Sequence, residues 1–279
     1  MKFYDFVEVG TSDFDTEIQK HDDKIGISIE PIQYYLQRLP EKKGCLKLHM
    51  GISNYNGTCV VNYLSEETIQ AYGFPFWVRG CNSINSYHQT VSDLCKERCI
   101  DISKIVTADE VKVSTLYEII KEYCCRGLYY LKIDTEGHDV VILKKFYEDI
   151  QNNFDLPHVI LFETNTLSNI DEVNQIISLF QSKGYDLISR NHDTTLQLNL
   201  QKLQKKNIFS EGIARYFIME YPPNYDIKQL PHENTLEAAQ EYCVKHNCSG
   251  VTLQDGIYQV RGGKYLQFHN SDIYTWVLL

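Results

Sequence analysis

The first thirty residues constrain the fold most strongly, because two short apolar segments there each end beside a carboxylic acid. Phe6–Val9 carries Glu8 and is followed by Gly10, and a second apolar segment ends at Glu30, 20 residues after that glycine. This spacing is typical of a βαβ unit in which the glycine lets a ligand approach and the second acid accepts hydrogen bonds from ribose hydroxyls. We therefore expect a cofactor that contains adenosine.

The same segment departs from a dinucleotide site. The dinucleotide fingerprint uses three glycines, which let the backbone approach a pyrophosphate and let the helix pack closely on the strand. Here Gly10 stands alone, and Phe14 occupies the position of a second glycine. A nucleoside without a pyrophosphate fits better, and S-adenosylmethionine is such a ligand. The missing glycines also argue against a nicotinamide-dependent oxidoreductase.

Length and charge narrow the class of partner. A chain of 279 residues that is 43% apolar is long enough for one large domain with an appendage. Binding to nucleic acid or to an anionic membrane needs clustered lysine and arginine, whereas the net charge here is −10. We therefore expect a small-molecule or glycan substrate, with no nucleic acid and no membrane as partner. No apolar run reaches the length of a membrane span.

The N-terminal segment and the cysteines indicate the compartment. Residues 1–7 lack the layout of a signal peptide and enter the first predicted strand at once. The nine cysteines are an odd number without the paired CxxC spacing of a zinc site, which predicts free thiols in a reducing compartment. We expect a cytoplasmic protein. The abundance of lysine, asparagine, isoleucine and tyrosine fits an AT-rich genome, and if that genome is viral the compartment is the host cytoplasm.

Alternation of strand and helix patterns predicts an α/β domain with a mostly parallel sheet covered by helices. The predicted strands are 6–9, 24–29, 46–50, 129–133, 158–163, 186–189 and 214–220, and the predicted helices include 32–39, 114–123, 139–152 and 171–183. The last two strands are joined by a polar segment without a helix pattern. We expect them to form an antiparallel hairpin at one edge of the sheet.

The C-terminal part reads as a separate unit. Three prolines between residues 222 and 231 predict a linker, which divides the chain into a main domain at 1–221, a linker at 222–234 and a small α+β module at 235–279. In the module we predict a helix from Thr235 to about residue 246 and strands at 250–253, 257–260, 265–268 and 274–278. Asp255-Gly256 and Gly262-Gly263 are hairpin turn signals. Substrate recruitment and homo-oligomerisation are the two roles left open for this module.

A second motif follows the central strand at residues 129–133. It delivers Asp134, Glu136 and His138 to the carboxyl end of that strand, where open α/β sheets bind their ligands. An acid at the end of a central strand is costly to bury unless something pairs with it, which favours a functional role for Asp134. For Asp139 we favour the simpler interpretation that it caps the next helix.

Six short motifs together identify a family resemblance. They are Phe6–Gly10, Ile29–Pro31, Gly51–Asn54, Gly80–Ile84, Leu131–Gly137 and Ile160–Glu163. In this order they resemble the FkbM family of methyltransferases over about residues 5–220, and Leu131–Gly137 is the most specific. The resemblance implies a Rossmann-like class I fold that uses S-adenosylmethionine, and many members methylate hydroxyl groups of sugars and natural products. The tail faintly resembles PAN-like modules, which bind proteins or carbohydrate.

The resemblance also implies roles for residues around the cofactor. It places Glu30 at the ribose, and Ser53 and Asn54 near the adenine. The residues that it places around the methionine end are Glu8, Gly10, Thr11 and Ser12.

Methyl transfer requires an acceptor oxygen aligned behind the methyl group and a base that removes its proton. The candidate bases are Asp134, Glu136, Glu163 and His138 at strand ends and His88 on the preceding loop. Residues 76–88 form a predicted substrate-facing loop, and the predicted substrate contacts are Asn82, Ser83, His88 and His138. A magnesium ion held by Asp134 and Glu163 is the alternative means of lowering the pKa of the hydroxyl.

Three functions follow in order of preference. The first is O-methylation of a sugar or glycan hydroxyl. The second is methylation of another small-molecule hydroxyl or of a carboxylate, which would need no base. The third is a non-catalytic binding protein that keeps the methyltransferase fold. The joint presence of Glu8, Gly10, Glu30 and Asp134 argues against this third interpretation, because a site without activity has no need of all four.

Overall fold

A computed structural model describes residues 3–84, 86–124, 127–165, 167–205, 207–222, 235–269 and 271–279. The strands are β1 (Tyr4–Val9), β2 (Gly26–Glu30), β3 (Leu46–His49), β4 (Gly51–Ser53), β5 (Gly57–Tyr63), β6 (Ser83–Ile84), β7 (Thr107–Thr115), β8 (Leu128–Ile133), β9 (Val159–Glu163), β10 (Tyr185–Arg190), β11 (Asp193–Leu198), β12 (Ile213–Ala214), β13 (Tyr216–Ile218), β14 (Gly250–Gln254), β15 (Ile257–Arg261), β16 (Leu266–Phe268) and β17 (Tyr274–Val277).

The helices alternate with these strands. They are α1 (Glu17–Lys20), α2 (Gln33–Arg38), α3 (Glu66–Ala71), α4 (Gln89–Glu97), α5 (Leu116–Ile119), α6 (Asp139–Asp149), α7 (Ile170–Ser182) and α8 (Leu236–Lys245), with 3-10 turns at Phe76–Gly80, Ile102–Lys104 and Asn153–Asp155. Of the helices in the described residues, none combines the length and apolarity needed to span a membrane. The cysteines at positions 45, 59, 81, 95, 99, 243 and 248 are free thiols, as expected.

The main sheet has seven strands in the order β10-β11-β9-β8-β1-β2-β3. The five strands from β9 to β3 run parallel, and β11 runs antiparallel to both of its neighbours. The central strands β8 and β9 are almost entirely apolar, as a sheet covered on both faces requires. The predicted mixed α/β fold with a mostly parallel sheet is therefore confirmed.

Helices cover both faces of this sheet because successive side chains of a strand point in opposite directions. Val7 and Val9 of β1 pack into the large core that also contains Ile142 of α6. Phe6 points the other way and packs against Ile18 of α1 and against α2. Glu8 has the parity of Phe6, so its side chain lies on the α1 side.

The antiparallel hairpin at the edge is real, but its second strand differs from the prediction. The hairpin consists of β10 and β11, and β11 inserts between β10 and β9. The prediction that residues 214–220 form this strand was wrong. In β11 the buried Thr194, Leu196 and Leu198 alternate with more exposed residues, a period-two signal in a segment that its polar residues made look like a loop.

A second sheet, of order β4-β7-β5-β6, was not predicted. Its longest strand, β7, alternates buried Val111 and Val113 with exposed charged residues. The predicted helix at 114–123 begins two residues later in the structure, because residues 114 and 115 belong to β7. Thr115 caps α5 by accepting a hydrogen bond from the Glu118 N–H at 3.4 Å, and α5 continues as a π-helix at Ile120–Cys124.

The four strands of the tail lie in two small sheets, one of which packs against α8. The Thr235 hydroxyl accepts a hydrogen bond from the Ala238 N–H, so the predicted start of the helix is confirmed. Asp255 and Gly256 both have positive φ and join β14 to β15, as predicted. The second turn signal was wrong, because β15 pairs with β14 whereas β16 pairs with β13. Residues 223–234 of the predicted linker lie outside the described residues.

Two short strands from the predicted main domain pair with the tail. β12 pairs with β17, and β13 pairs with β16. Arg215 lies between β12 and β13, and Tyr216 is the first residue of β13. The side chains of both reach Asp5 at the start of β1. The Tyr216 hydroxyl donates to Asp5 at 2.8 Å and the Arg215 guanidinium donates at 3.0 Å, while the Ile25 N–H also donates to it at 2.8 Å.

We expect the change Asp5→Ala to lower the free energy of unfolding by about 3 kcal/mol, because it leaves a buried hydroxyl and a guanidinium without their acceptor. Chemical denaturation measures the effect. Asp23→Ala is the matched control, since Asp23 contacts the same Arg215 at 3.1 Å but is 57% exposed. Its expected cost is below about 1 kcal/mol. Equal costs for the two variants would contradict the anchoring role of Asp5.

Candidate active site

Two adjoining cavities lie at the carboxyl ends of β1, β2 and β8. The residues lining the first cavity are Val9, Gly10, Thr11, Ser12, Phe14, Glu30, Pro31, Met50, Gly51, Ile52, Val61, Gly80, Asn82, Ser83, Ile84, Asp134, Thr135 and Glu136. Those lining the second cavity are Phe14, Phe76, Trp77, Arg79, Gly80, Cys81, His88, Thr90, Glu136, Asn165 and Leu167. Three residues are common to both cavities, namely Phe14, Gly80 and Glu136.

Gly10 brings the turn after β1 into direct contact with the end of β8. It has φ of +76°, and a Cβ atom there would lie 1.9 Å from the carbonyl oxygen of Asp134. No other residue fits without moving one of the two strand ends. The glycine that the sequence motif singled out is therefore required by close packing of backbone on backbone.

Glu30 lies at the end of β2, lines the first cavity and is 2% exposed. Its carboxylate accepts hydrogen bonds from the Ser12 N–H at 2.6 Å and from the Ile32 N–H at 2.8 Å. Burial raises the pKa of this group to about 7 in spite of these hydrogen bonds, and the neighbouring Asp13 and Asp134 raise it further. Glu30 thus joins the loops after β1 and β2 where they border the cavity.

Glu8 lies elsewhere than the family resemblance implied. Its carboxylate accepts hydrogen bonds from the backbone N–H groups of Glu17 and Ile18 and from the hydroxyl of Ser28. The first two belong to the N-terminus of α1, which attracts negative charge. Glu8 is 1% exposed and does not line either cavity. The parity of β1 directs its side chain toward α1, so the carboxylate is occupied within the protein.

Two polar atoms of the first cavity have no hydrogen-bond partner among the described residues. They are the hydroxyl oxygen of Ser12 and the side-chain carbonyl oxygen of Asn82, and both are buried. Thr11 also lines the cavity, and its hydroxyl donates to the Ser12 carbonyl at 3.1 Å. Buried polar atoms without partners are costly. A polar ligand in the first cavity would supply the missing partners.

Glu136 is the ionisable residue that lines both cavities in the described part of the chain. It follows β8 in the left-handed region, with φ of +53°. One of its carboxylate oxygens lies 3.2 Å from Nε2 of His88. No hydrogen bond to its other oxygen, Oε1, is found among the described residues.

His88 supports Glu136 and is itself fully engaged. It is the N-cap residue of α4, and its Nδ1 accepts a hydrogen bond from the Thr90 N–H at 3.2 Å. A neutral ring that accepts at Nδ1 carries its hydrogen at Nε2, where it donates to Glu136. Neither nitrogen is left to take a proton from a substrate, so His88 orients Glu136.

Asp134 lies beside Glu136 at the mouth of the first cavity, with its side chain 41% exposed. Its carboxylate is 3.6 Å from Nζ of Lys132, which also lies 3.7 Å from Asp15. Desolvation raises the pKa of Asp134, and the proximity of Glu136 raises it further. The position is open to a ligand, and the functional role of Asp134 stays a prediction.

Two further acids, the buried Asp139 and the half-buried Glu163, lie near the ends of β8 and β9 and line neither cavity. Asp139 accepts hydrogen bonds from the backbone N–H groups of Thr135 and Glu163, at 3.2 and 3.1 Å, and burial raises its pKa to about 6. It therefore joins the ends of β8 and β9, whereas the sequence suggested a helix cap. Burial among other carboxylates raises the pKa of Glu163 to about 8. One Glu163 oxygen accepts from Asn165, and the other is buried without a partner among the described residues.

Of the remaining residues predicted to contact the substrate or the adenine, some line the first cavity and others lie outside both cavities. Asn82 and Ser83 line the first cavity. The His138 ring instead lies 2.9 Å from the Ser53 hydroxyl, and neither residue lines either cavity. Asn54 lies on a separate surface beside α6 and α7.

Among the residues that the structure describes, neither Asp134 nor Glu163 belongs to a group of side chains that could hold a metal ion. Within the described ranges, three side chains have potential ligand atoms within 4.8 Å of one another, and these are Cys81, His88 and Glu136. Both His88 nitrogens are already engaged, and burial raises the pKa of the Cys81 thiol to about 12. Because metals bind the thiolate and a free imidazole nitrogen, this group does not fit a resident metal ion.

Several residues of the cavities were given no role of their own in the sequence analysis, although Gly51 and Ile52 belong to one of the six motifs and Arg79 lies in the predicted substrate-facing loop. Met50, Gly51 and Ile52 line the first cavity where the predicted third strand ends, and that position at a strand end was the available signal. Arg79 lies with its guanidinium 4.6 Å from the centroid of the Phe14 ring. No local sequence signal indicates this stacking, because the two residues are 65 positions apart.

The raised pKa values predict how stability depends on pH. A carboxyl group whose pKa is higher in the folded chain than in the unfolded chain stabilises the fold most when the pH is below the unfolded pKa of about 4.5. This contribution to the free energy of unfolding is lost as the pH rises through the folded pKa. For Glu163 the loss extends to about pH 8. We expect Glu163→Gln, which keeps a neutral side chain, to raise the free energy of unfolding by about 2 kcal/mol at pH 8 and by almost nothing at pH 4.5.

Denaturant unfolding at several pH values tests this expectation. Glu148→Gln is the control, because Glu148 is an exposed residue of α6, and its expected effect is within about 0.5 kcal/mol at every pH. A Glu163→Gln variant whose stability changes with pH in the same way as the wild type would exclude Glu163 as the source of the dependence.

Comparison with known proteins identifies the family. Residues 8–187 match the family model described as the methyltransferase FkbM domain. Neither the comparison with curated proteins nor that with solved structures finds a match. The matched region runs from β1 into β10, so it includes every residue that lines the two cavities, whereas the tail lies beyond it. The predicted resemblance is confirmed over more than half of the chain, which belongs to the FkbM family of methyltransferases.

Proposed function

We propose that the protein is an S-adenosylmethionine-dependent O-methyltransferase whose acceptor is a hydroxyl group of a sugar or glycan. The observation that carries this proposal is the position of Glu136, which lines both cavities. A methyl donor in the first cavity and an acceptor in the second would meet at this carboxylate. The proposal thus assigns one cavity to each substrate and the shared residue to the proton transfer.

The first cavity suits an adenosine ligand with a polar amino-acid end. Met50 and Ile52 offer apolar contacts to a base, while Glu30 offers a carboxylate at the position expected for a ribose. The unpartnered oxygens of Ser12 and Asn82 would gain partners from polar groups of the ligand. When bound, S-adenosylmethionine supplies an electrophilic methyl group.

Glu136 is the base in this proposal. A sugar hydroxyl is far less acidic than a carboxylic acid, so its proton has to leave while the oxygen attacks. The hydrogen bond from His88 holds one carboxylate oxygen of Glu136, while Oε1 remains for the acceptor hydroxyl. This arrangement favours a hydroxyl acceptor over a carboxylate acceptor, which needs no base and would be repelled by Glu136.

The cofactor assignment predicts the effect of replacing Glu30. Glu30→Ala should weaken binding of S-adenosylmethionine at least tenfold, because it removes both the carboxylate of the cavity and the acceptor for the Ser12 N–H. Isothermal titration calorimetry measures this. Glu41→Ala is the control, since the Glu41 side chain is 86% exposed and lines neither cavity, and its affinity should be unchanged. Binding of NAD without binding of S-adenosylmethionine by the wild type would refute the cofactor assignment.

The assignment of the base predicts a separation of binding from turnover. Glu136→Gln should lower kcat at least 100-fold and leave the affinity for S-adenosylmethionine within about threefold of the wild type. Asp134→Asn serves as the comparison, because it changes an acid of the first cavity that does not line the second. Its expected loss of kcat is smaller. Full activity of Glu136→Gln together with inactive Asp134→Asn would transfer the role of base to Asp134.

A further inference from the structure

Two neighbouring aromatic side chains form an exposed platform at the second cavity. Phe76 and Trp77 line this cavity and are 57% and 56% exposed. Both belong to the 3-10 turn Phe76–Gly80. Side chains this large and apolar are usually covered, and a pair of them beside a carboxylate is typical of a binding surface for a ligand with both apolar and polar groups.

Arg79 positions the Phe76 ring of the platform. The Arg79 guanidinium lies 4.3 Å from the centroid of the Phe76 ring and 4.6 Å from that of Phe14, so it stacks against both rings. It also pairs with Asp13 at 3.0 Å, and Asp13 pairs with Arg38 at 2.8 Å. Phe76 is thus exposed and yet positioned before any ligand binds, which reduces the entropy lost on binding.

The charges at this cavity are unfavourable to an anionic ligand. Its ionisable lining residues are Arg79, His88 and Glu136, besides the protonated thiol of Cys81. The positive charge of Arg79 is matched by Asp13 and, at 3.7 Å, by Glu66. Within the described residues, no cation that lines this cavity is therefore left for a phosphate, which proteins bind with free arginine or lysine side chains.

The N-terminus of α4 does not replace the missing cation. It reaches the second cavity at Thr90, whose N–H already donates to His88. Glu136 lies against the same His88 ring, at 3.2 Å from Nε2. A helix N-terminus attracts anions through its free N–H groups. Here a capping side chain and a carboxylate stand where a phosphate would have to bind.

We infer that the acceptor is the uncharged terminal sugar of a glycan, with the C–H face of its ring against Phe76 and Trp77 and one hydroxyl at Glu136. Nucleotide-linked and phosphorylated sugars are excluded by the charges of the cavity. This inference rests on the proposed function and specifies its substrate. The exposure of the platform leaves room for the rest of the glycan chain to extend into solvent.

The chemistry fixes the place of this step in a reaction sequence. The transfer forms a bond between the sugar oxygen and the methyl carbon, breaks the bond between that carbon and sulfur, and passes the hydroxyl proton to Glu136. Since nucleotide-linked sugars carry a diphosphate, glycosyl transfer has to come first and release that group. Methylation then acts on the assembled glycan, and the methylated oxygen is closed to further glycosylation.

Matched acceptors test the inference. Each neutral oligosaccharide of a panel ending in hexoses, deoxyhexoses and pentoses is compared with the 1-phosphate and the nucleoside diphosphate form of its terminal sugar. Methyl incorporation from labelled S-adenosylmethionine should be at least tenfold faster for the neutral member of any pair that reacts. Equal or faster methylation of the charged members would overturn the inference. The inference would also be overturned if the protein binds S-adenosylmethionine but methylates none of the saccharides. Failure to bind this cofactor at all would instead refute the proposed function.

Variants of the platform provide a second measurement. The double change Phe76→Ala with Trp77→Ala should raise KM for the neutral acceptor at least tenfold, with the affinity for S-adenosylmethionine unchanged. Tyr72→Ala is the matched control, because Tyr72 is an aromatic residue with 45% exposure that lines neither cavity. Its KM should stay within twofold of the wild type. An unchanged KM in the double variant would overturn the assignment of the platform.

Discussion

Buried carboxylates that accept hydrogen bonds from backbone N–H groups hold the carboxyl edge of the main sheet together. Glu8 binds the N-terminus of α1, Glu30 binds the loops after β1 and β2, and Asp139 joins the ends of β8 and β9. Each of these groups is at most 2% exposed. A buried carboxylate without donors is very costly, so the loops have to lie where their N–H groups reach it.

This constraint divides the acids of the site into two groups. Those with two or more backbone donors shape the loops, whereas two acids without backbone donors line the cavities. Asp134 and Glu136 belong to the second group, since their side chains are 41% and 24% exposed and no hydrogen bond from a backbone N–H to either is found among the described residues. Glu30 combines both roles, because it binds two loops and still lines the first cavity. The buried carboxylates therefore fix the loops that line the first cavity.

The second sheet completes the site from the other side. It carries the segment from Phe76 to His88, which supplies the aromatic platform and the partner of Glu136. Arg79 connects this segment to the turn after β1 by stacking on Phe14 and pairing with Asp13. An aromatic residue in place of the second glycine thus has a structural reason, since Phe14 lines both cavities and contacts the platform through Arg79.

The sequence by itself determined the parallel sheet, the strand ends that carry the acids, the need for glycine at position 10 and the family. These features depend on local patterns and short motifs, which a single chain displays. Strand β11 and the second sheet were missed because their alternation is short and rich in polar residues. Only the tertiary structure decided which acids are occupied and which face a ligand. Glu8 and Glu136 look alike in sequence, and their roles differ because strand parity and distant N–H groups determine what each carboxylate meets.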